Sequence, residues 1–98
     1  MHARITTIEG DAGRVDAAVQ KARDEVLPIL RQQPGWKGFT VMADRSSGKL
    51  VGISFFESED AVRASDAAVA DTRSAVAEAG GAAAPRVEFL EVVIDEMA

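Results

Sequence analysis

The sequence predicts an α+β domain whose four strands and two helices follow the order β-α-β-β-α-β. Three observations predict it: runs rich in β-branched and aromatic residues, two stretches with helical apolar periodicity, and glycine or proline between them. A length of 98 residues fits one domain, which we assign to residues 1–98. Apolar residues at 47% and charged residues at 28% are ordinary for globular proteins, so disorder is not expected.

The first strand and the first helix occupy the N-terminal third. Ile5, Thr6, Thr7 and Ile8 favour a strand over residues 3–9. Over residues 14–32 the apolar positions fall on one face of an amphipathic helix; they are Val15, Ala18, Val19, Ala22, Val26, Ile29 and Leu30. Pro28 falls on the opposite face, where it removes one backbone hydrogen bond and is expected to bend the helix. Pro34-Gly35 ends this helix.

A β-hairpin is predicted next, with strands over residues 36–43 and 49–56. The polar loop 44–48 joins them and ends in Gly48, where a positive φ is needed. Two strands joined by so short a loop are expected to pair antiparallel.

The second helix begins after Ser58, which caps it, and ends near Ala79 before Gly80-Gly81. Its inward face is small and partly polar and consists of Val62, Ser65, Val69, Thr72 and Val76. The last strand is predicted over residues 86–94.

Two helices cover only one face of a four-stranded antiparallel sheet, yet the strands carry apolar side chains on both faces. Val51, Ile53 and Phe55 alternate with Leu50 and Phe56 in the third strand, and the fourth strand is similar. Monomers rarely leave such a patch in water, so we expect a homodimer formed through the sheet face. A monomer with scattered surface apolar residues is the alternative.

Composition excludes several classes of function. The chain has no cysteine, which removes disulfides, thiolate nucleophiles and cysteine-based metal sites. A net charge of −5 with scattered basic residues argues against nucleic acid as a partner. No apolar run is long enough for a membrane helix and the N-terminus is too polar for a signal peptide, so no membrane partner and a cytoplasmic location are expected.

Two segments in this order resemble the antibiotic biosynthesis monooxygenase-like family of dimeric α+β barrels. They are LPILRQQPGWKGF, residues 27–39, and FFESEDAV, residues 55–62. The resemblance implies a ferredoxin-like protomer whose sheet packs on its partner's sheet, with a cleft between helices and sheet. It also implies, in some members, oxidation of aromatic polyketides or quinols by O₂ without a cofactor; other members degrade haem.

The candidate ligand-binding residues are Trp36, Ser65, Val69 and Thr72. Trp36 opens the second strand, where it could wall the cleft, or it could be a core or interface aromatic residue. Ser65 and Thr72 could line a polar cleft or bond back to helix carbonyls one turn earlier. Active family members typically use asparagine, tryptophan, tyrosine, arginine or histidine; asparagine and tyrosine are absent here, and Ser65 stands where several members have histidine.

The remaining candidates are weaker. His2, the only histidine, is terminal and is expected to be a solvated bystander. Asp66 and Arg73 are two helical turns apart and are expected at a solvated edge. Arg4 and Arg45 could bind an anion, but isolated arginines at edges and on loops are ordinary. No metal-ligand spacing is present, and no cofactor is expected.

The sequence therefore predicts a small dimeric barrel, and the resemblance implies a cofactor-independent monooxygenase acting on an apolar or aromatic metabolite. The alternative is a non-catalytic dimer that binds a small molecule or acts as an accessory protein. A third, more distant hypothesis is a ligand-sensing module with the same element order.

Overall fold

The computed structural model describes residues 1–97. Four strands, β1 (His2–Glu9), β2 (Trp36–Asp44), β3 (Lys49–Phe56) and β4 (Arg86–Glu91), form one antiparallel sheet in the order β2-β3-β1-β4. The first and third strands are therefore central. With both helical stretches on one face, this is the ferredoxin-like α+β arrangement that the sequence predicts.

The first helical stretch is built from several pieces. A 3₁₀ turn at Ala12–Arg14 leads into α1 (Val15–Lys21), a π-helical segment (Ala22–Val26) and α2 (Leu27–Leu30). The predicted inward face is confirmed, since Val15, Ala18, Ala22, Val26 and Leu30 are all buried.

The π-helical segment lies next to Pro28, and the sequence did not predict it. Leu27 N–H bonds to the carbonyl of Ala22, five residues back, rather than to the residue four back. Pro28 has no N–H, and its ring would clash with the carbonyl of Asp24 in a regular α-helix. The turn before the proline is π-helical, so the backbone accommodates the missing N–H of Pro28 by a local change of helix type.

The second helix is α3 (Glu59–Ala79). Ser58 Oγ accepts a hydrogen bond from Ala61 N–H at 3.1 Å, as a capping serine should. Val62, Ser65, Val69 and Val76 are buried and Thr72 is half-buried, as the periodicity predicts.

The two faces of the sheet differ in what covers them. Leu50 and Phe56 point to the helices and are buried in the core, and Phe89 packs against them. The opposite face, here called the outer face, places Ile5 beside Ile53 across the central strand pair. Its other apolar members are Met42, Val51, Phe55 and Leu90.

The last strand is shorter than predicted, because it ends at Glu91 and not at Ile94. Val92 N–H still bonds to the carbonyl of Met1 at 2.9 Å, but Val93 and Ile94 are 80% and 84% exposed. β1 begins at His2, which pairs with Glu91, so alternation of apolar residues alone overstated the strand.

Three chain segments meet at one end of the sheet around Gly10. Gly10 N–H bonds to the carbonyl of Gly48 at 3.2 Å, and Asp11 N–H bonds to that of Gly80 at 2.8 Å. Gly48 has φ = 86°, the positive value expected for the hairpin loop. These contacts fix the C-terminal end of α3 against the sheet.

Candidate functional site

A cavity lies between the helical layer and the sheet. Its volume is about 60 Å³, more than the ~10–15 Å³ that one water needs but less than the ~150 Å³ of a cavity that holds one benzene molecule. An aromatic ligand would therefore require the wall to move outward or would extend out of the cavity. Most of its wall is apolar and is formed by residues of β1, β2, β3, α1, the π-helical segment and α3, including Ile8, Val19, Val26, Phe39, Leu50 and Val69. Arg4, Thr6, Ser54 and Arg73 supply the polar part of the wall. An apolar cavity with a few polar groups is typical of a small-molecule site.

Arg4 is the most unusual of these residues, because it lies on a central strand and is only 3% exposed. Its Nη1 donates hydrogen bonds to Ser65 Oγ at 2.8 Å and to the carbonyl of Val62 at 3.4 Å. Its guanidinium carbon lies 5.7 Å from the centre of the Phe56 ring, a cation–π contact. Burying a charged group is costly, so buried charges in proteins usually have hydrogen-bonding or charged partners.

A carboxylate joins the two arginines of the cavity. Asp66 Oδ1 lies 2.7 Å from Nη1 of Arg73 and 3.8 Å from Nη1 of Arg4. The Arg73 side chain is 15% exposed, and Asp66 is 35% exposed. Asp66 and Arg73 therefore form a half-buried ion pair across two helical turns, which corrects the expectation of a solvated edge.

The environment acts on the acidity of Arg4. Burial lowers the pKa of the Arg4 guanidinium, the Asp66 carboxylate raises it, and the charge of Arg73 lowers it further. Arginine nonetheless stays protonated in proteins. Arg4, Arg73 and Asp66 together therefore carry one net positive charge in a chain whose net charge is −5.

The π-helical segment forms part of the same wall, since Ala22 and Val26 both line the cavity. π-Helical turns within α-helices are found frequently at functional sites. Proline 28 thus shapes the cavity from the solvent side, without lining it.

The four candidate residues from the sequence fall in different places. Val69 lines the cavity, whereas Ser65 lies behind it as the hydrogen-bond acceptor of Arg4. Thr72 Oγ1 donates to the carbonyl of Val69 at 3.0 Å, within its own helix. Trp36 packs against the core, and its buried Nε1 has no hydrogen-bond partner among residues 1–97.

Arg4 and Arg73 supply the charge of the cavity. Sequence reasoning weighed Arg4 as an anion binder and placed Arg73 at a solvated edge, but chose neither as a site residue. A signal was present for Arg4: it shares the alternation of Thr6 and Ile8, the helix-facing side of a central strand. His2 continues this alternation but is half-buried at the start of β1, and it does not line the cavity.

Two absences apply to residues 1–97. No group of three or more histidine, aspartate or glutamate side chains there could hold a metal ion. No helix in that range is both long enough and apolar enough to cross a bilayer.

The sequence is similar to two uncharacterised proteins of Mycobacterium tuberculosis. One is 34% identical over 94% of this chain and the other 38% identical over 79% of it. The chain covers 41% and 33% of their lengths, so it spans less than half of the curated relatives it matches.

Solved structures of the same fold include a monooxygenase encoded by ActVA-Orf6 of Streptomyces coelicolor, in complex with nanaomycin D. Its TM-score is 0.81 at 22% identity, covering 99% of this chain and 91% of that one. A variant of MhuD with two manganese protoporphyrin IX molecules per active site has a TM-score of 0.72 at 22% identity, covering 100% of both chains. At these identities the likeness establishes the fold.

The family follows from a direct match of sequence. The model of the family described as antibiotic biosynthesis monooxygenase matches residues 1–70, which include β1, the first helical stretch, the hairpin and the first half of α3. These elements supply nearly all of the cavity wall. This chain belongs to the antibiotic biosynthesis monooxygenase family.

Proposed function

We propose that this chain is a monooxygenase that oxidises an apolar, aromatic metabolite in the cavity with O₂ and without a bound cofactor. The observation that carries the proposal is the apolar cavity between helices and sheet with Arg4 and Arg73 in its wall. A structural neighbour of the same fold is a monooxygenase in complex with nanaomycin D, which supports an organic ligand for this chain.

In the proposed reaction, the substrate supplies all the electrons. A methylene group between aromatic rings becomes a carbonyl: one atom of O₂ enters the substrate and the other leaves as water with the two hydrogens. The substrate enters the cavity as its anion, having lost one proton to bulk water, since the anion gives up electrons to O₂ more readily than the neutral molecule.

The chain contributes to this reaction through its wall. Apolar side chains such as Phe39 and Leu50 exclude water from the anion. The guanidinium groups of Arg4 and Arg73 favour the deprotonated substrate, because a nearby opposite charge lowers the pKa of an acid. No side chain of this chain is assigned as the base.

Oxygen uptake with anthrone as the substrate tests the proposal. We expect uptake above the buffer rate without added flavin or metal, and ¹⁸O₂ should place one labelled atom in the anthraquinone product. Val19→Phe fills the cavity and should abolish the uptake, whereas Gln20→Phe, on the solvent side of α1, should leave it unchanged.

The second candidate function is a non-catalytic protein that binds a small molecule. Its support is compositional, because asparagine and tyrosine are absent and His2 is the only imidazole. If anthrone binds to the protein but is oxidised no faster than in buffer, the result supports this binding function and contradicts the monooxygenase.

We also propose that two copies associate through the outer face, in the cytoplasm. Ile5, Val51, Ile53 and Phe55 form its half-buried centre, and Leu90 on the edge strand is 55% exposed. Charged side chains of this face lie at strand ends and on β4, so a second copy can place apolar surface on apolar surface. The absence of cysteine suits a reducing compartment.

Light scattering of the purified protein tests this assembly. We expect twice the 10.4 kDa mass of one chain, and Ile53→Lys should halve it while circular dichroism stays unchanged. Ala68→Lys, on the exposed side of α3, is the control that should leave the mass at that of a dimer. A wild-type mass of one chain would overturn the dimer.

A further inference from the structure

We infer that the ligand of this cavity is an apolar ring system bearing one anionic oxygen group, a carboxylate or a phenolate, and that Arg4 and Arg73 bind this group. The inference rests on the proposed function in that it concerns the same cavity. It adds the chemistry by which the site selects its ligand.

The first argument is the unused donor capacity of Arg4. A guanidinium has five N–H donors, and both hydrogen bonds of Arg4 to residues 1–97 come from Nη1. Nε–H and the two N–H of Nη2 have no protein acceptor in that range. Since the residue is 3% exposed and lines the cavity, these donors are best satisfied by an acceptor inside it.

The second argument is charge balance. Arg73 and Arg4 share the single carboxylate of Asp66, which lies outside the cavity wall, and none of the lining residues among 1–97 is acidic. Two cations beside one anion leave an unpaired positive charge in a setting of low dielectric, where it is costly. An anionic ligand group would remove that cost and would form charge-assisted hydrogen bonds.

The third argument is that the rest of the cavity wall cannot serve an anion. Among the lining residues within 1–97, Thr6 and Ser54 are the only polar ones beyond the arginines, and the remaining ones are hydrophobic or are glycine and alanine. The charged part of a ligand therefore has one place to bind, and its ring system fills the apolar remainder.

Three naphthalene probes test the inference in direct binding measurements at pH 7. We expect 2-naphthoate to bind about tenfold or more tightly than its neutral isostere, 2-naphthamide. For 2-naphthol, we expect binding to lower the pKa of its hydroxyl, seen as phenolate absorbance below the pH at which free naphthol ionises. A preference for naphthoate without a lowered pKa of naphthol indicates a carboxylate ligand, and both responses together indicate an oxyanion in general. If both responses are absent, the inference is overturned.

Variants on α3 assign the selectivity to the arginines. Arg73→Gln should weaken 2-naphthoate about tenfold and leave 2-naphthamide unchanged. Arg63→Gln is the matched control, since Arg63 is exposed on the same helix and does not line the cavity. Equal losses in the two variants would overturn the assignment.

Asp66→Asn provides a test in the opposite direction, which remains available if Arg73→Gln does not fold. Removing the only carboxylate of the group should tighten 2-naphthoate severalfold without affecting 2-naphthamide. Weaker binding of naphthoate by this variant would contradict the charge argument.

These measurements separate this inference from the proposed reaction. Selective binding of 2-naphthoate without oxidation of anthrone would keep the anion site and reject the monooxygenase. Oxidation of anthrone without any preference for the charged probes would keep the monooxygenase and reject the anion site.

Discussion

Arg4 on β1 and Ser65 on α3 are joined by a hydrogen bond of 2.8 Å between Nη1 and Oγ, although they lie 61 residues apart in the chain. Ser65 Oγ in turn donates to the carbonyl of Val62 at 2.7 Å. Both side chains are buried. This short polar chain ties the second helix to a central strand and holds the Arg4 guanidinium beside the cavity.

Ser65→Ala should destabilise the protein by roughly 1–3 kcal/mol, because it removes the closest acceptor of a buried cation. Urea denaturation gives the change in the free energy of unfolding. Thr72→Ala is the control: Thr72 bonds only to a carbonyl of its own helix, so a change within about 0.5 kcal/mol is expected. Similar losses in the two variants would contradict a special role for the Arg4–Ser65 bond.

Gly10→Ala should destabilise the protein by roughly 1–3 kcal/mol through overpacking. A Cβ at Gly10 would overlap the backbone carbonyl of Gly80, which cannot turn away as a side chain could. A Cβ at Gly13 would meet nothing within 4 Å, so Gly13→Ala should be neutral or slightly stabilising. Thermal unfolding of the two variants checks the contrast, and a stable Gly10→Ala protein would show that the junction of β1 and α3 can open.

Ser58→Ala should cost about 1 kcal/mol, because the first turn of α3 loses its side-chain cap. Ser58→Asp should retain the stability, since aspartate caps equally well. Ser74→Ala, at an exposed position inside α3, should not destabilise the helix, as alanine is the better helix former. Chemical denaturation gives the free energy of unfolding of the three variants and checks that Ser58→Ala is the least stable.

Ser46→Ala should raise the pKa of Asp44 toward its ordinary value. The hydroxyl and the backbone N–H of Ser46 donate to Asp44 Oδ1 at 2.7 and 3.0 Å and lower the pKa of that carboxyl, with a smaller contribution from Ser47. A lowered pKa in the folded state stabilises the fold above the unfolded pKa, and this contribution is lost as pH falls through the folded pKa. NMR titration of the carboxyl carbon in both proteins measures the shift, and an unchanged value in Ser46→Ala would contradict it.

Much of the fold could be predicted because the spacing of apolar residues along the sequence follows which side chains are buried. The strands, both helices and the inward face of α3 follow from the spacing of apolar residues, and the cap at Ser58 from local chemistry. The end of β4 could not be predicted in this way, because it depends on how far β1 extends beside it. The π-helical segment also escaped prediction, since a proline states which bond is missing but not how the backbone compensates.

The candidate site was harder to predict, for a physical reason. Arg4 and Arg73 are 69 positions apart and become neighbours only through the packing of α3 on β1. In the sequence each resembles an ordinary surface cation. Their importance lies in burial and in the shared contact with Asp66, and neither quantity is a property of a single position.

The five residues Ala22–Val26 give the cavity walls of unequal stiffness. The sheet side is a continuous ladder between paired strands, whereas the helix side contains a wide turn with a five-residue hydrogen bond next to Pro28. A guest larger than the cavity would displace this turn before it displaced a strand. For the proposed ligand, Pro28 would therefore influence the size that the cavity accepts without contacting the ligand.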